Sequence, residues 1–241
     1  MKQNRRGFLR VAGVAAATIA LGSLSLTARA ASDKLKIGVI GSGRIGSTLG
    51  GLWVKAGHEV MFSSLDIEHD KALAAKLGGG ARAGTSREAA AFGDVLLIAV
   101  PYSALPSVGK DLASQMKGKV VIDASNPIVR RDGEIAEWAR QKGAGAASLE
   151  LLPGARIVRA FNAIGYARMA VAHQNAGQVG MPMASDDAKA VAVASRLVRE
   201  IGYEPVLVGG LAAMGKHLIP GTPLAGERSP EEVRKVAATL N

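Results

Sequence analysis

The amino-acid sequence predicts an α/β fold: a doubly wound parallel sheet with helices on both faces and a small C-terminal extension. Three observations indicate this class. Short apolar, β-branched segments alternate with helix-like segments along most of the 241 residues. Residues 95–100, Val-Leu-Leu-Ile-Ala-Val, are apolar throughout, as expected of a strand buried on both faces. A glycine-rich turn directly follows the first apolar segment.

The predicted elements alternate between strand and helix. The strands are residues 36–40, 59–62, 94–100, 119–123, 156–160, 178–183 and 204–208, and the helices include residues 44–56, 70–77, 187–201 and 230–240. Thr85-x-x-Glu88 and Ser229-Pro230-Glu231-Glu232 are typical of helix N-termini. Right-handed crossovers between parallel strands would place the carboxyl ends of the strands along one edge of the sheet.

The first thirty residues have the three parts of an export signal. A basic start is followed by an apolar segment at about residues 11–26 and by Ala28-Arg29-Ala30, a small-x-small cleavage site. Residues 4–10, Asn-Arg-Arg-Gly-Phe-Leu-Arg, resemble the twin-arginine motif, and a general secretory peptide is the alternative. The apolar segment is too short and too polar to be a stable membrane anchor. We therefore expect recognition by the twin-arginine export machinery, cleavage near Ala30 and a periplasmic mature protein.

Composition excludes several other functions. The chain has no cysteine, and its four histidines lack metal-ligand spacing, so we expect no disulfide and no metal site. No G-x-S-x-G elbow indicates a hydrolase. Of the net charge of +10, the segment before residue 31 contributes half, and the rest is dispersed with few aromatics, so no nucleic-acid partner is expected. The oligomeric state is left open, with a homodimer as one alternative.

The glycine-rich turn indicates a dinucleotide site. Residues 41–46, Gly-Ser-Gly-Arg-Ile-Gly, match G-x-G-x-x-G between a strand and an apolar-faced helix. Gly41 would make the tight turn, Gly43 would let the backbone approach a pyrophosphate, and Gly46 would allow close packing of helix and strand. The helix N-terminus would present free N–H groups to the phosphates. The sequence therefore predicts that residues 31–241 form a Rossmann-like NAD(P)-binding domain, with Ser42, Arg44 and Ile45 also in the pyrophosphate loop.

The end of the second strand is expected to select the dinucleotide. Ser63 and Ser64 stand there without a carboxylate, which leaves room for the 2′-phosphate of NADP, and Arg44 and Lys71 are candidates to neutralise it. In the alternative, Arg44 is a solvated loop residue and Asp66 reaches the ribose of NAD. The sequence favours NADP, with NAD as the alternative.

Two later turns close strands that end at the same edge. Val100 and Pro101 end the third predicted strand, and Asn126 and Pro127 follow the fourth. Proline after a strand halts pairing and directs the backbone into the crevice. For Asn126, a role in binding and an ordinary loop position remain equal alternatives.

These segments together resemble a known family. Residues 37–43, 99–101, 123–127 and 158–162 (Val-Arg-Ala-Phe-Asn) resemble, in that order, the NADP-dependent reductases of the deazaflavin coenzyme F-420. Metalloreductase NADP-binding domains and the N-terminal domain of pyrroline-5-carboxylate reductases are more distant relatives. The resemblance implies that the glycine loop holds the pyrophosphate, that a Ser-Arg pair holds the 2′-phosphate, and that the Pro and Asn-Pro turns line the nicotinamide. This chain keeps Ser64 but has Leu65 where arginine is usual, which weakens the preference for NADP.

The combined prediction is an exported NAD(P)-dependent oxidoreductase. It would transfer a hydride between NADP(H) and a flavin-like, deazaflavin-like or other small redox substrate, which Asn162 and Met183 would face. The family's hydride passes directly between stacked rings, so no catalytic acid or base is expected. The alternative is a dinucleotide-binding accessory or sensor protein without turnover. Met183, together with Met181 and Phe161, has plain core packing as its alternative.

Overall fold

The computed structural model describes residues 34–240, so the predicted export signal lies outside the described residues. The chain divides into two units between Lys34 and Leu35, and the sheet and helices belong to the unit that begins at Leu35. Within the described part, no helix has both the length and the apolar character needed to cross a membrane.

One eight-stranded sheet organises the fold, in the order β3-β2-β1-β4-β5-β6-β7-β8. Its strands are β1 Lys36–Ile40, β2 Glu59–Ser63, β3 Ala81–Ala83, β4 Val95–Ile98, β5 Val120–Asp123, β6 Arg156–Arg159, β7 Gly180–Ala184 and β8 Glu204–Gly209. Strands β1 to β6 are parallel to one another. The doubly wound α/β prediction is confirmed.

The predicted parallel order is interrupted at one position. β7 pairs with β6 in antiparallel orientation through Arg159 and Ala184, and β8 is parallel to β7. A parallel strand would require a crossover that returns the chain to the opposite edge. Residues 160–179 instead contain turns and two short helical segments, so β7 starts on the side where β6 ends.

Twelve α-helices connect the strands in the described residues. They are α1 Arg44–Lys55, α2 Ile67–Leu77, α3 Ser86–Phe92, α4 Leu105–Asp111, α5 Ala113–Met116, α6 Val129–Asp132, α7 Glu134–Lys142, α8 Ala144–Leu151, α9 Tyr166–Met169, α10 Ala188–Glu200, α11 Leu211–Met214 and α12 Pro230–Ala238. Single 3₁₀ turns occur at Tyr102–Ala104, Ala172–Asn175 and Gly215–His217.

The two faces of the sheet bury separate hydrophobic clusters. One contains Val39 of β1 with Trp53 of α1 and Leu197 of α10. The other contains Ile40 of β1 and, from helices on the opposite face, side chains such as Ala89 of α3. Successive residues of one strand point to opposite faces, so helices must cover both sides.

Two further differences from the sequence prediction have local causes. β3 was not predicted, because its three residues, two of them alanine, carry no apolar alternation. The segment expected to be a C-terminal extension is instead part of a helical layer. Val233 and Ala237 of α12 are buried in the second cluster.

Candidate functional site

The carboxyl ends of five parallel strands lie side by side along one edge of the sheet. In spatial order the edge presents Ser64 after β2, the glycine loop (residues 41–46) after β1, Pro101 after β4, Asn126 after β5 and Asn162 after β6. The direction of winding reverses between β1 and β4, and ligands of doubly wound sheets bind in the crevice at such a reversal. The structure therefore brings together most of the residues that the sequence analysis assigned to the site.

Each glycine of the loop has a distinct environment. Gly41 has φ of +96°, and a Cβ there would lie 2.6 Å from the carbonyl oxygen of Ala99. At Gly46 a Cβ would lie 2.0 Å from the carbonyl oxygen of Gly41, so only glycine allows this approach of helix to strand. Gly43 is exposed, and a Cβ there would meet no atom within 4 Å. The space in front of Gly43 is thus open for a ligand.

The loop also leaves the N-terminus of α1 available to an anion. Among the residues described, no side chain caps this helix and no acidic residue lies in its first turn. By contrast α2, α3, α10 and α12 are capped by the side chains of Asp66, Thr85, Asp187 and Ser229. Uncapped N–H groups at the positive end of a helix dipole bind phosphate. A dinucleotide pyrophosphate therefore fits this turn.

The two other loop residues assigned to pyrophosphate binding differ in exposure. Arg44 is exposed, and its guanidinium lies 5.4 Å from the centroid of the Tyr166 ring. Ile45 is half-buried and packs against the first hydrophobic cluster. Tyr166, which belongs to α9 and which sequence reasoning missed, is therefore a neighbour of the glycine loop.

The tip of β2 differs from the sequence interpretation. Ser63 is fully buried, and its Oγ donates to the carbonyl oxygen of Val39 at 2.8 Å, so this hydroxyl is not placed for ribose binding. Alternation of side chains along β2 turns Ser63 into the fold. The carbonyl oxygen of Ser63 instead accepts hydrogen bonds from the N–H groups of Gly41 and Ser42, at 2.9 and 3.0 Å.

The two charged residues that the sequence suggested for the ribose or its 2′-phosphate, Lys71 and Asp66, have partners within the chain. Lys71 pairs with Glu68 at 2.8 Å, and Asp66 caps α2 by accepting from the N–H groups of Glu68 and His69. Neither is therefore directed to a ribose. Asp70, a residue that sequence reasoning missed, is fully buried and accepts hydrogen bonds from the hydroxyls of Ser42 and Ser64.

The opposite half of the edge is formed by the Asn-Pro turn and the end of β6. Asn126 Nδ2 donates to the carbonyl oxygen of Asn162 at 3.0 Å, and Asn162 Nδ2 donates to that of Ser125 at 3.1 Å. Both amide oxygens are buried without a partner among the described residues. Buried polar atoms normally have a partner, so these two acceptors are available to ligand donors such as a carboxamide.

Arginine side chains hold this turn in place. Arg131 donates to the carbonyl oxygen of Asn126 at 2.9 Å, and Arg140 donates to that of buried Pro127 at 3.0 Å. At the neighbouring turn, Val100 is half-buried and Pro101 is exposed. The Asn-Pro turn is thus fixed from outside the crevice, while Pro101 borders it.

A buried ion pair lies beneath these turns. Arg159 and Asp123 are both fully buried and are joined at 2.6 Å, and Arg159 also donates to the carbonyl oxygen of Ser125 at 3.1 Å. Burial, together with the nearby Asp123 carboxylate, raises the pKa of Tyr102 well above its usual range. The hydroxyl of Tyr102 therefore stays protonated near neutral pH. Sequence reasoning missed this network, because its members are far apart in the chain.

The end of β6 carries backbone strain. Phe161 has φ of +67°, which bulky residues adopt only when their surroundings impose it. Its buried ring packs edge-on against Trp53 with 6.1 Å between centroids. Such strain is typical of functional sites, and here it immediately precedes Asn162.

Met183 does not face a substrate. Its side chain is fully buried in the first hydrophobic cluster with Met181 and Phe161. All five residues of β7 are buried, because this interior strand is covered on both faces. This burial does not support the predicted substrate-facing position of Met183. Asn162 is also buried but follows β6 at the edge, and its substrate-facing role stays a prediction.

Comparisons with known proteins agree with this geometry. A family model described as NADP oxidoreductase, coenzyme F420-dependent, matches residues 36–127. The F420-dependent NADP reductase of Methanothermobacter thermautotrophicus is 30% identical over 191 residues, which cover 73% of this chain and 82% of that protein. Metalloreductase STEAP3 of Rattus norvegicus is 29% identical over 182 residues, and there the chain spans about one third of the relative's length (34%). The crystal structure of a hypothetical protein from Sinorhizobium meliloti superposes with a TM-score of 0.68 at 25% identity, over 82% of this chain and 96% of that one.

The fold, the edge and these relatives define an NAD(P)-dependent oxidoreductase. More specifically, the chain belongs to the family of the F420-dependent NADP reductases. The family resemblance that the sequence motifs indicated is confirmed.

Proposed function

We propose that the protein is exported to the periplasm through the twin-arginine machinery and there transfers a hydride between a nicotinamide dinucleotide and a small redox substrate. The observation that carries the proposal is the open space at Gly43 in front of the uncapped α1, on an edge where five strand ends meet. On this edge the adenosine would lie at Ser64 and the nicotinamide at Asn126, on either side of the glycine loop. The export part is supported by the twin-arginine motif at residues 4–10.

The chain's own residues would act by binding and orienting. A bound nicotinamide supplies the hydride. The N–H groups of the α1 N-terminus hold the pyrophosphate, and the unpartnered amide oxygens of Asn126 and Asn162 accept hydrogen bonds from the carboxamide or the substrate. Tyr102 remains protonated and buried, so it is no candidate for a general base. Direct transfer between stacked rings is consistent with these roles.

The acceptor class is proposed from the family. The archaeal relative is named for its dependence on F420, a deazaflavin, and a flavin or deazaflavin ring presents a flat surface that stacks on a nicotinamide. We therefore propose a flavin-like or deazaflavin-like substrate, with other small acceptors as the alternative.

The test is an acceptor panel with protein isolated from the periplasmic fraction. We expect the near-ultraviolet absorbance of NADH or NADPH to fall on addition of a flavin or a deazaflavin, at least tenfold faster than without protein. The Gly43→Val variant is the control, since it retains the fold and blocks the pyrophosphate space. Nucleotide binding without oxidation by any acceptor would instead support an accessory or sensor protein. Absence of nucleotide binding would contradict the site itself.

A further inference from the structure

The buried carboxylate of Asp70 organises the adenosine end of the site. Asp70 lies in the first turn of α2 and is 0% exposed. One of its carboxylate oxygens accepts from the hydroxyl of Ser42 in the glycine loop, and the other accepts from Ser64 Oγ at 2.9 Å. Asp70 therefore joins the loop to the tip of β2 by side chains that are distant in the sequence. Among the residues that the structure describes, it forms no ion pair with Lys, Arg or His.

The hydrogen bonds of Ser64 determine what its hydroxyl offers a ligand. Its single proton has two acceptors within the chain, Asp70 Oδ2 at 2.9 Å and the carbonyl oxygen of Asp66 at 3.1 Å. Ser64 Oγ also accepts from the N–H of Asp66 at 3.1 Å, which occupies one of its two lone pairs. One lone pair remains. Ser64 can therefore accept a hydrogen bond from a ribose 2′-hydroxyl, whereas donation to a phosphate would require breaking an internal bond.

Charge leads to the same conclusion. A 2′-phosphate at Ser64 would place a dianion next to the buried Asp70 carboxylate. The cations that would offset it are engaged elsewhere, since Lys71 pairs with Glu68 and the Arg44 guanidinium lies over Tyr166. The next residue of the tip, Leu65, is fully exposed and uncharged. Among the residues that the structure describes, this tip therefore offers a phosphate no cation that lacks another partner.

We infer that Asp70 is a positioning residue that, through Ser64, makes this protein select NAD(H) over NADP(H). This reverses the preference expected from the two serines alone, and it rests on the proposed function, because a dinucleotide must bind at this edge. The 2′-hydroxyl of NAD donates to Ser64, whose own proton points to Asp70. In NADP the same position carries an anion that finds neither a donor nor a cation.

The experiment is fluorescence titration of the full chain with NADH and with NADPH. We expect the wild type to bind NADH at least tenfold more tightly. Asp70→Asn keeps the shape of the side chain but removes its charge, and it should reduce this preference by about 10- to 100-fold, the range expected for a charge-assisted contact. A merely structural role would weaken both nucleotides equally and leave the ratio of their Kd values unchanged.

Asp66→Asn is the matched control. It removes one negative charge from the start of the same helix, at an exposed position, and asparagine caps helices as well as aspartate does. We expect its Kd ratio to stay within about threefold of the wild type, given the screening of exposed charges. If Asp66→Asn changed the ratio of the Kd values as much as Asp70→Asn does, the loss of any negative charge on α2 would explain both results, and the inference would be overturned.

Ser64→Ala tests the same contact at a half-buried position and keeps the inference falsifiable if Asp70→Asn does not fold. Loss of the lone pair should weaken NADH about tenfold and leave the weak NADPH affinity nearly unchanged. A wild type that prefers NADPH, or a Ser64→Ala variant that loses NADPH more than NADH, would overturn the role of Asp70 while the dinucleotide site stands. Failure to bind either nucleotide would overturn the proposed function and, with it, this inference.

Discussion

In the glycine loop at the edge of the sheet, a single position either packs against the backbone or leaves open space in front of it. Gly43 and Gly46 lie three positions apart in one motif, yet a Cβ at Gly46 would lie 2.0 Å from a backbone oxygen, whereas at Gly43 it would meet nothing within 4 Å. The fold therefore requires glycine at Gly41 and Gly46, whereas at Gly43 it leaves open the space that we propose for the ligand. Asp123 and Arg159 use buried space for structure instead. Their opposite charges pair in the interior and support the Asn-Pro turn that follows β5.

This contrast predicts opposite results for two substitutions. Gly43→Val should leave the melting temperature within a few degrees and weaken dinucleotide binding at least 100-fold, because the side chain occupies the pyrophosphate's space. Gly46→Ala should lower the free energy of unfolding by about 3 kcal/mol, because backbone must move to admit the methyl group. Thermal unfolding and fluorescence titration of both variants measure the two effects. Normal binding by Gly43→Val would place the pyrophosphate elsewhere.

Four helices of the described residues, α2, α3, α10 and α12, have a capping side chain, and α1, which begins at the crevice, is among those that have none. α1 has no capping side chain, whereas the N-cap of α10 is Asp187, which accepts from the N–H of Ala190 at 3.0 Å and pairs with Arg156 of β6 at 2.6 Å. The hydrogen bonds from Arg156 hold the pKa of Asp187 well below its usual value of 3.8. The ion pair between Asp187 and Arg156 thus joins the N-terminus of α10 to β6.

The pH dependence of this attachment is testable. A carboxyl with a lowered pKa in the folded state stabilises the fold above its unfolded pKa, and that stability is lost as pH falls through the folded value. Asp187→Asn retains a capping side chain but loses the ion pair, so its melting temperature should be a few degrees lower than wild type at pH 7. The difference should shrink as pH falls below 3.8, the ordinary value. A difference that stays constant down to strongly acidic pH would show that the ionised pair of Asp187 with Arg156 is not its source.

For the whole molecule, the predicted export signal and the proposed dinucleotide site together require that the nucleotide stay bound. Twin-arginine export carries folded proteins, so a dinucleotide bound in the cytoplasm can leave with the chain. Free nicotinamide nucleotides are expected to be scarce outside, and the bound one would have to dissociate very slowly to remain useful. It would then be reduced and reoxidised in place by two small molecules in turn.

Nucleotide content measures this directly. Protein from the periplasmic fraction should release close to one nicotinamide dinucleotide per chain on denaturation, and by the inference above it should be mostly NAD(H). Replacing Arg5 and Arg6 by lysine should leave the protein in the cytoplasm with the same occupancy. An empty protein that binds added nucleotide only weakly would contradict retention, and secretion of the double variant would indicate the general secretory route.

Local sequence was sufficient for the elements that depend on neighbouring residues. The glycine loop, five of the eight strands as parallel members of one sheet, and the Asn-Pro turn follow from hydrophobic pattern, glycine spacing and proline, because these act within a few residues. The edge on which Asn126 and Asn162 meet follows from the parallel order of their strands.

Tertiary structure alone decided which side chains meet. Asp70 lies 28 positions from Ser42, and Arg159 lies 36 positions from Asp123, so no local pattern pairs them. The same applies to Ser63, whose hydroxyl turns inward to Val39, and to Met183, which is buried because β7 is an interior strand covered on both faces. Sequence thus predicted a dinucleotide site and its position in the chain. Packing between distant segments determined the charge around it, because electrostatic contacts depend on distances in space and not on separation along the chain.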